Sequence, residues 1–311
     1  MSDKHIRFDW AIKRLLRQKA NFGILEGFVS ELLGFDITIQ SIGESEGNKD
    51  DAGDKYNRVD ILAETMTKEL ILVEVQNEKK HNYFHRMNYS QAKLITDYMH
   101  EGDDYELVRK VYSINIVYFE LGQGHDYVYK GQVDFFGLHH TDDQLQLSAA
   151  QKSIYHKQHT ADLFATYYII KTNKFDDIAR DRLDQWIYFL KNNEFPAEVS
   201  AKGLKLAQER LRKDSLSASD KEAYEQYMKD IRDRESELAT AYYDGQERAR
   251  SEAQQLLSEA EAEREQALAL AEKNRSALLN TVKEFSALGL SADKIALITG
   301  LSSDEIRSIL Q

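Results

Sequence analysis

Residues 58–77, with the sequence RVDILAETMTKELILVEVQN, constrain the fold more than any other part of the chain. Polar and apolar residues alternate on both sides of a short polar turn, a pattern typical of two half-buried β-strands joined in a hairpin. We predict strands over 58–65 and 69–77, with the turn centred on Thr67. In antiparallel register the facing pairs are Arg58 and Gln76, Asp60 and Glu74, and Leu62 and Leu72.

Two carboxylates face each other in this register. Directly opposed like charges destabilise a sheet by up to about 1 kcal/mol, so a purely structural hairpin would gain by avoiding Asp60 opposite Glu74. A divalent cation between the two side chains would convert the repulsion into ligation, since hard cations prefer carboxylate oxygens. The hairpin is therefore a candidate metal site and a candidate active site.

The charge of the chain limits how it can bind nucleic acid. The formal net charge is −12, from 41 Lys and Arg against 53 Asp and Glu, so total charge does not steer the protein to nucleic acid. Binding therefore needs a local basic patch. Residues 1–20 offer one, since they contain six basic residues and only two acidic ones. The basic residues are Lys4, Arg7, Lys13, Arg14, Arg17 and Lys19.

The sequence also has no Cys, no apolar run that resembles a signal peptide and no stretch that approaches a membrane span. We therefore expect a soluble cytoplasmic protein without disulfides or thiolate chemistry.

The first 175 residues mix helix and strand signals. Apolar residues recur at helical spacing from Trp10 to Leu33, with an interruption near Asn21 and a stop at Gly34. A polar loop covers 43–57. Further elements are predicted as strands over 36–42, 111–119, 127–136 and 162–170, and as a helix over 83–99.

From residue 176 onward the strand signals stop. Helices are predicted over 178–190 and 199–211, a long helix of partly coiled-coil character over 221–288, and two short helices in a helix-turn-helix-like tail over 289–311. Gly245 is the weak point of the long helix. In the tail, the first short helix is predicted to begin after Ser291 and to end at Gly300. The second is predicted to begin at a capping box formed by Ser302 and Glu305. The predicted domains are 1–175, 176–220, 221–288 and 289–311.

The tail carries a local net charge of −1, which argues against phosphate binding by this element. Oligomerisation or capping is the favoured interpretation of the tail.

Around the hairpin, the sequence resembles the PD-(D/E)XK nuclease superfamily. It resembles more closely the recombination-promoting nuclease family, also described as nuclease-type transposases. The resemblance covers residues 8–175 well and the tail moderately. It is carried by Asp60 followed by Glu74-Val75-Gln76, by FGILEGFVSELLG, by RVD, by Arg86-x-x-Tyr89, by Gly102-x-x-Tyr105 before VYSINIVYF, and by ITGLS-x-x-EI.

The resemblance implies a restriction-endonuclease-like α/β core, a mixed β-sheet flanked by helices, followed by an all-α arm with a long helix and a terminal helical hairpin. Two departures from the superfamily pattern stand out. Gln76 takes the place of the usual lysine, and Val59 stands where the pattern has proline. Without that lysine, more of the charge stabilisation must come from the metal or from arginine.

The resemblance also implies roles for the site residues. Asp60, Glu74 and the backbone carbonyl of Val75 would bind Mg²⁺ or Mn²⁺, and Gln76 would hydrogen-bond the attacking water. The predicted nucleic-acid contacts are Arg58, Arg86, Tyr89 and Lys55.

Alternatives stay open for several of these residues. Arg86 and Tyr89 are either a phosphate contact with a neighbouring stack or a packed pair that fixes helix to sheet. Lys55 is either a backbone contact or an ordinary solvated lysine. Glu26 or Glu31 of the first helix is either a further acid of the site or an exposed helix glutamate.

We therefore expect a metal-dependent endonuclease that acts on DNA in recombination, mobile-element movement or phage defence, and that forms a homo-oligomer through its C-terminal helices. An alternative is a nuclease fold kept as a binding or assembly module with weak activity. A third is a chiefly structural oligomer built on the helix over 221–288.

Overall fold

The structure is a computed structural model, and it describes residues 5–43 and 60–310. The described residues form six β-strands and nine α-helices. The strands are β1 (Ile39–Gly43), β2 (Ile61–Thr65), β3 (Leu70–Gln76), β4 (Val111–Val117), β5 (Val128–Gly131) and β6 (Thr166–Lys171). The helices are α1 (Phe8–Arg14), α2 (Phe22–Leu33), α3 (Tyr83–Asp97), α4 (Ala149–Tyr155), α5 (Arg182–Asn192), α6 (Leu204–Arg210), α7 (Ala218–Ala287), α8 (Ala292–Thr299) and α9 (Ser303–Leu310).

The six strands form one mixed sheet in the order β1-β2-β3-β4-β6-β5. The first three strands are antiparallel neighbours, β3, β4 and β6 run parallel, and β5 closes one edge antiparallel to β6. Helix α3 connects the parallel pair β3 and β4, as such a crossover requires. The predicted mixed sheet flanked by helices, with a helical C-terminal arm, is confirmed.

The hairpin of β2 and β3 has the predicted register. Leu62 pairs with Leu72 and Ile61 pairs with Val73. Its turn is closed by Thr65, whose Oγ1 accepts a hydrogen bond from the amide of Glu69 at 3.0 Å. The first strand begins at Ile61, so Asp60 lies directly before the paired segment.

Strand β3 is buried on both faces, which corrects the prediction that both hairpin strands are half-buried. One face packs on the helical layer that contains Phe28 and Trp186, and on the other face Leu72 packs with Leu94 of α3. Every residue from Leu70 to Val75 is buried. A charged side chain on the α3 face of β3 is therefore removed from water.

Residues beyond 175 contribute to the same core as the sheet. Trp186 of α5 is fully buried, and its indole nitrogen donates to the carbonyl of Lys202 at 3.1 Å. Helix α2 lies so close to the start of α6 that a Cβ on Gly27 would stand 2.2 Å from the carbonyl oxygen of Lys202. The chain divides into two compact units, 1–228 and 229–311. The expected boundaries at 175 and 220 both fall inside the first unit.

Several predicted elements are shorter in the structure. The strand expected over 162–170 begins at Thr166, because residues 160–162 form a 3₁₀ turn in which Asp162 accepts from the amide of His159. The strand expected over 127–136 ends at Gly131. The first helix ends at Arg14 rather than near residue 21, and the buried Asn21 side chain donates to the carbonyl of Leu15 after that end.

The helical arm is continuous across its predicted weak point. Helix α7 runs for 70 residues through Gly245. In the tail, Gly300 has a φ of 74° at the end of α8, and Ser302 and Glu305 form both hydrogen bonds of the predicted capping box. Ser291 occupies the N-cap position, but its side chain makes no capping hydrogen bond. Across the described ranges, no helix has both the length and the apolar character needed to cross a membrane.

Candidate active site

Asp60 is held at three points at the start of β2. Its Oδ2 accepts a hydrogen bond from the Val75 amide at 2.6 Å, and its Oδ1 lies 3.2 Å from the Lys13 ammonium. The carbonyl of Asp60 accepts from the Arg17 guanidinium at 2.8 Å. The hairpin and the N-terminal helix thus fix the carboxylate directly beside the backbone of Val75.

Glu74 lies on β3, one residue before Val75, and is 1 % exposed. Its Oε1 accepts a hydrogen bond from the Ser90 hydroxyl at 3.2 Å, and its Oε2 lies 3.6 Å from Nε of Arg86. Burial raises the pKa of the Glu74 carboxyl above its ordinary value; the Arg86 charge opposes this rise and the negative charge of Asp60 adds to it. The negative charge of Asp60 thus acts on the Glu74 carboxyl.

Gln76 follows on the same face of β3 as Glu74, because alternate residues of a strand share a face. Its side chain is partly exposed and makes no hydrogen bond with the residues that the structure describes, whereas its backbone carbonyl accepts from the amide of Tyr118 at 3.0 Å. The carboxamide is thus partly open to solvent on the face of β3 that carries Glu74.

The donor set suits a hard divalent cation. Oε2 of Glu74 is buried and has no hydrogen bond from any described residue, and the nearby charge of Asp60 is of the same sign. Within the described ranges, no cluster of three or more His, Cys, Asp and Glu residues could hold a metal ion. Two carboxylates with a backbone carbonyl match Mg²⁺, which is commonly bound through one or two carboxylates and keeps several waters.

Helix α3 covers the site with one of its faces. Arg86 and Ser90 lie one turn apart and both reach Glu74, while Tyr89 is 42 % exposed beside them. The hydroxyl of Tyr83 donates to Oδ1 of Asn115 at 3.0 Å, and Asn115 pairs with Glu74 across the β3–β4 ladder. Tyr83, Ser90 and Asn115 were not among the predicted site residues, although positions 83, 86 and 90 follow helical spacing.

Glu26 and Glu31, the candidate acids of the first predicted helix, lie on α2 and make other contacts. Oε1 of Glu26 accepts from the amide of Ile39 at 2.7 Å, and Oε1 of Glu31 accepts from the amide of Lys202 at 2.8 Å. The structure therefore places both in contacts between α2 and neighbouring segments and does not bring them to the Asp60–Glu74 pair. Arg58 and Lys55 lie outside the described residues.

The basic residues of the N-terminal patch contact different acidic residues. Lys13 and Arg17 contact Asp60, whereas Arg14 forms an ion pair with Asp220 at 2.6 Å. Arg7 forms an ion pair with the buried Asp9 at 3.0 Å. The sequence located this patch without indicating which of its residues meet at the acidic pair.

Asp9 ties the end of β3 to the start of α7. Its Oδ2 accepts from the Asn77 amide group and from the Tyr227 hydroxyl, each at 2.7 Å. Burial by itself raises the pKa of Asp9, but hydrogen bonding and charge from Arg7, with hydrogen bonds from Tyr227 and Asn77, hold it below its ordinary value. This network around the buried Asp9 anchors Asn77, the residue that directly follows Gln76.

Comparison with known families identifies the family of the chain. A family model described as PD-(D/E)XK nuclease family transposase matches residues 6–241, a range that contains the sheet, Asp60, Glu74 and helix α3. Searches of curated proteins and of solved structures gave no significant match. The match covers more than half of the chain, and we conclude that the chain belongs to the PD-(D/E)XK nuclease family transposases.

Proposed function

We propose that this family member is a metal-dependent endonuclease that hydrolyses DNA phosphodiester bonds at Asp60 and Glu74. The observation that carries the proposal is the buried Glu74 carboxylate, whose pKa is raised by burial and by the charge of Asp60. Burying a charged carboxylate is costly unless it is paired, and strongly perturbed groups concentrate at functional sites. A bound cation would offset this charge.

The chain's own residues divide the work of hydrolysis. Asp60, Glu74 and the Val75 carbonyl would hold Mg²⁺ or Mn²⁺, which supplies Lewis acidity and a bound water of lowered pKa. The Gln76 carboxamide orients the attacking water by accepting or donating a hydrogen bond. Being neutral, Gln76 adds no charge to stabilise the pentavalent phosphorus transition state.

Arg86 and Tyr89 form the proposed substrate side of the site. Arg86 lies beside Glu74 and is partly exposed, so its guanidinium can share its charge with a phosphate. The exposed ring of Tyr89 can stack on a base, a contact that tolerates any sequence. Because the net charge of the chain is −12, such local contacts must carry the affinity for DNA.

We further propose that the protein forms a homo-oligomer through α7. Leu257 and Leu268 are exposed by 63 % and 61 %, and with Leu279 they recur at intervals of 11 residues. An 11-residue apolar repeat favours a right-handed coiled coil, in which a second copy of the helix would cover these side chains. The resulting assembly would act in recombination, mobile-element movement or phage defence in the cytoplasm.

Closed circular plasmid DNA tests the proposed activity. With Mg²⁺ or Mn²⁺ the wild-type protein should nick or linearise the plasmid, and Asp60→Ala and Glu74→Ala should both remove this activity. Glu101→Ala is the matched control, since it removes a carboxylate from an exposed turn after α3. Equal cleavage by the wild type and both site variants would show that the Asp60–Glu74 pair is not the active site.

A further inference from the structure

Lys13 brings a positive charge to the site from a helix rather than from the hairpin. It lies in the last turn of α1, and its ammonium is 3.2 Å from Oδ1 of Asp60. Gln76, which stands on β3 where the superfamily pattern has a lysine, is neutral. We propose that Lys13 is the cation that contacts the scissile phosphate, an inference that rests on the proposed nuclease function.

The backbone of Lys13 is anchored in the core while its side chain is about half exposed. Neighbouring Ile12 and Leu16 are fully buried in the core, so α1 holds the Cα of Lys13 in place. The Lys13 side chain is 51 % exposed. A flexible four-carbon stem on a fixed helix lets the ammonium reach from the Asp60 carboxylate to a phosphate bound against it.

Arg17 and Arg86 are less suited to this role. The guanidinium of Arg17 donates to the backbone carbonyl of Asp60, which joins the segment after α1 to the hairpin. Arg86 lies against the buried Glu74, where its charge opposes the rise in the pKa of that carboxyl. Lys13 instead combines a contact to an Asp60 carboxylate oxygen with an open path to solvent.

The position of Lys13 gives it two opposite effects. Without substrate, its ammonium shares Oδ1 of Asp60 and competes with a divalent cation for the same oxygen. With DNA bound, the phosphate attracts the ammonium away from Asp60, since opposite charges at contact distance attract. Removal of the Lys13 charge should therefore strengthen divalent-cation binding and weaken DNA binding.

This pair of opposite changes is the test. We would compare Lys13→Ala, Lys13→Met, which keeps the apolar stem, Lys13→Arg and the control Lys205→Ala. Lys205 is an exposed lysine of α6 and lies outside the N-terminal basic patch. For each full-length variant we would measure Mn²⁺ affinity by calorimetry without DNA, affinity for a short duplex by fluorescence anisotropy with Ca²⁺, and plasmid cleavage with Mg²⁺.

In Lys13→Ala and Lys13→Met we expect Mn²⁺ affinity to rise by about 3-fold or more and DNA affinity to fall by about 5-fold. We expect the cleavage rate to fall about 100-fold, the size of effect typical for loss of one transition-state contact. Lys13→Arg should recover the rate to within about 10-fold of wild type, because it keeps the charge. Lys205→Ala should stay within about twofold of wild type in all three measurements.

Two results would overturn the proposal. Weaker Mn²⁺ binding in both neutral variants, with unchanged DNA affinity, would mean that Lys13 only positions Asp60. Cleavage and DNA binding equal to those of Lys205→Ala would mean that Lys13 has no role at the site. If the wild type itself does not cleave, the proposed function fails, and the two affinity measurements still decide whether Lys13 contacts phosphate.

Discussion

The backbone nitrogen of Val75 lies 2.6 Å from Oδ2 of Asp60. Asp60 precedes its strand by one residue, and its carboxylate accepts a hydrogen bond from the backbone of the neighbouring strand. The same carboxylate thus closes the hairpin and supplies half of the acidic pair. Substitutions of Asp60 can separate its contribution to the stability of the hairpin from its contribution to cleavage.

Asp60→Asn keeps an oxygen acceptor for the Val75 amide and removes the charge. It should cost less stability than Asp60→Ala, which deletes a hydrogen bond to a charged group worth about 1.5 to 3 kcal/mol. Both variants should lose cleavage by about 100-fold or more. Urea unfolding and plasmid cleavage measure the two effects. A fully active Asp60→Asn variant would be incompatible with ligation by the carboxylate.

Glu74→Gln should stabilise the metal-free protein at neutral pH while abolishing cleavage. Burial raises the folded-state pKa of Glu74, so its contribution to stability is full below the unfolded pKa and is lost as pH rises through the folded pKa. Above that range the variant avoids a buried charge, and we expect a gain on the order of 1 kcal/mol in the free energy of unfolding.

Unfolding curves in a chelating buffer at several pH values test this prediction. The difference between Glu74→Gln and wild type should shrink as the pH falls toward the ordinary range of a glutamate. Glu101→Gln, on an exposed turn, is the matched control and should keep the stability of the wild type. A variant that is less stable than wild type at neutral pH would show that the Glu74 charge is already well paired in the metal-free protein.

Asp9→Ala should be strongly destabilising, because it leaves Arg7 without its buried partner and removes the acceptor shared by Asn77 and Tyr227. Breaking a buried ion pair costs roughly 3 to 5 kcal/mol. Since the pKa of Asp9 is lowered, its contribution is present above the unfolded pKa and is lost as pH falls through the folded pKa.

Denaturant unfolding of Asp9→Ala measures this loss. The control is Asp97→Ala, which removes an exposed carboxylate paired with Lys93 one turn away and should cost no more than about 0.5 kcal/mol. Similar losses in the two variants would mean that the Asp9 network does not support the fold.

Leu257→Ser combined with Leu268→Ser should reduce the oligomeric state without unfolding the first compact unit. The two side chains are exposed within a single chain, so their loss costs stability only where a second copy covers them. Sedimentation velocity would detect the change, with Ser258→Ala as a control on the same helix. An unchanged sedimentation coefficient in the double variant would exclude these leucines from an interface.

The sequence predicted the β2–β3 hairpin because local rules suffice there. A period of two and a short turn determine that Leu62 faces Leu72, and the same register continued by one residue beyond the Ile61–Val73 pair puts Asp60 opposite Glu74. Capping chemistry is equally local, so the roles of Gly300, Ser302 and Glu305 were predictable.

The sequence failed where a partner comes from a distant segment. Helical spacing predicted that Glu26 and Glu31 lie on a helix. It could not predict that their carboxylates accept hydrogen bonds from the amides of Ile39 and Lys202. The same limit hid the contact from Lys13 to Asp60, since 47 positions separate the two residues along the chain. Strand alternation likewise could not reveal that α3 covers the polar face of β3.

Calorimetric titration of Mn²⁺ into the metal-free protein tests the central claim most directly. Joint ligation by Asp60 and Glu74 predicts a specific binding heat in the wild type. Binding should be at least about 10-fold weaker in Asp60→Asn and in Glu74→Gln, with both variants folded. Equal Mn²⁺ binding by the wild type and both variants would contradict the account.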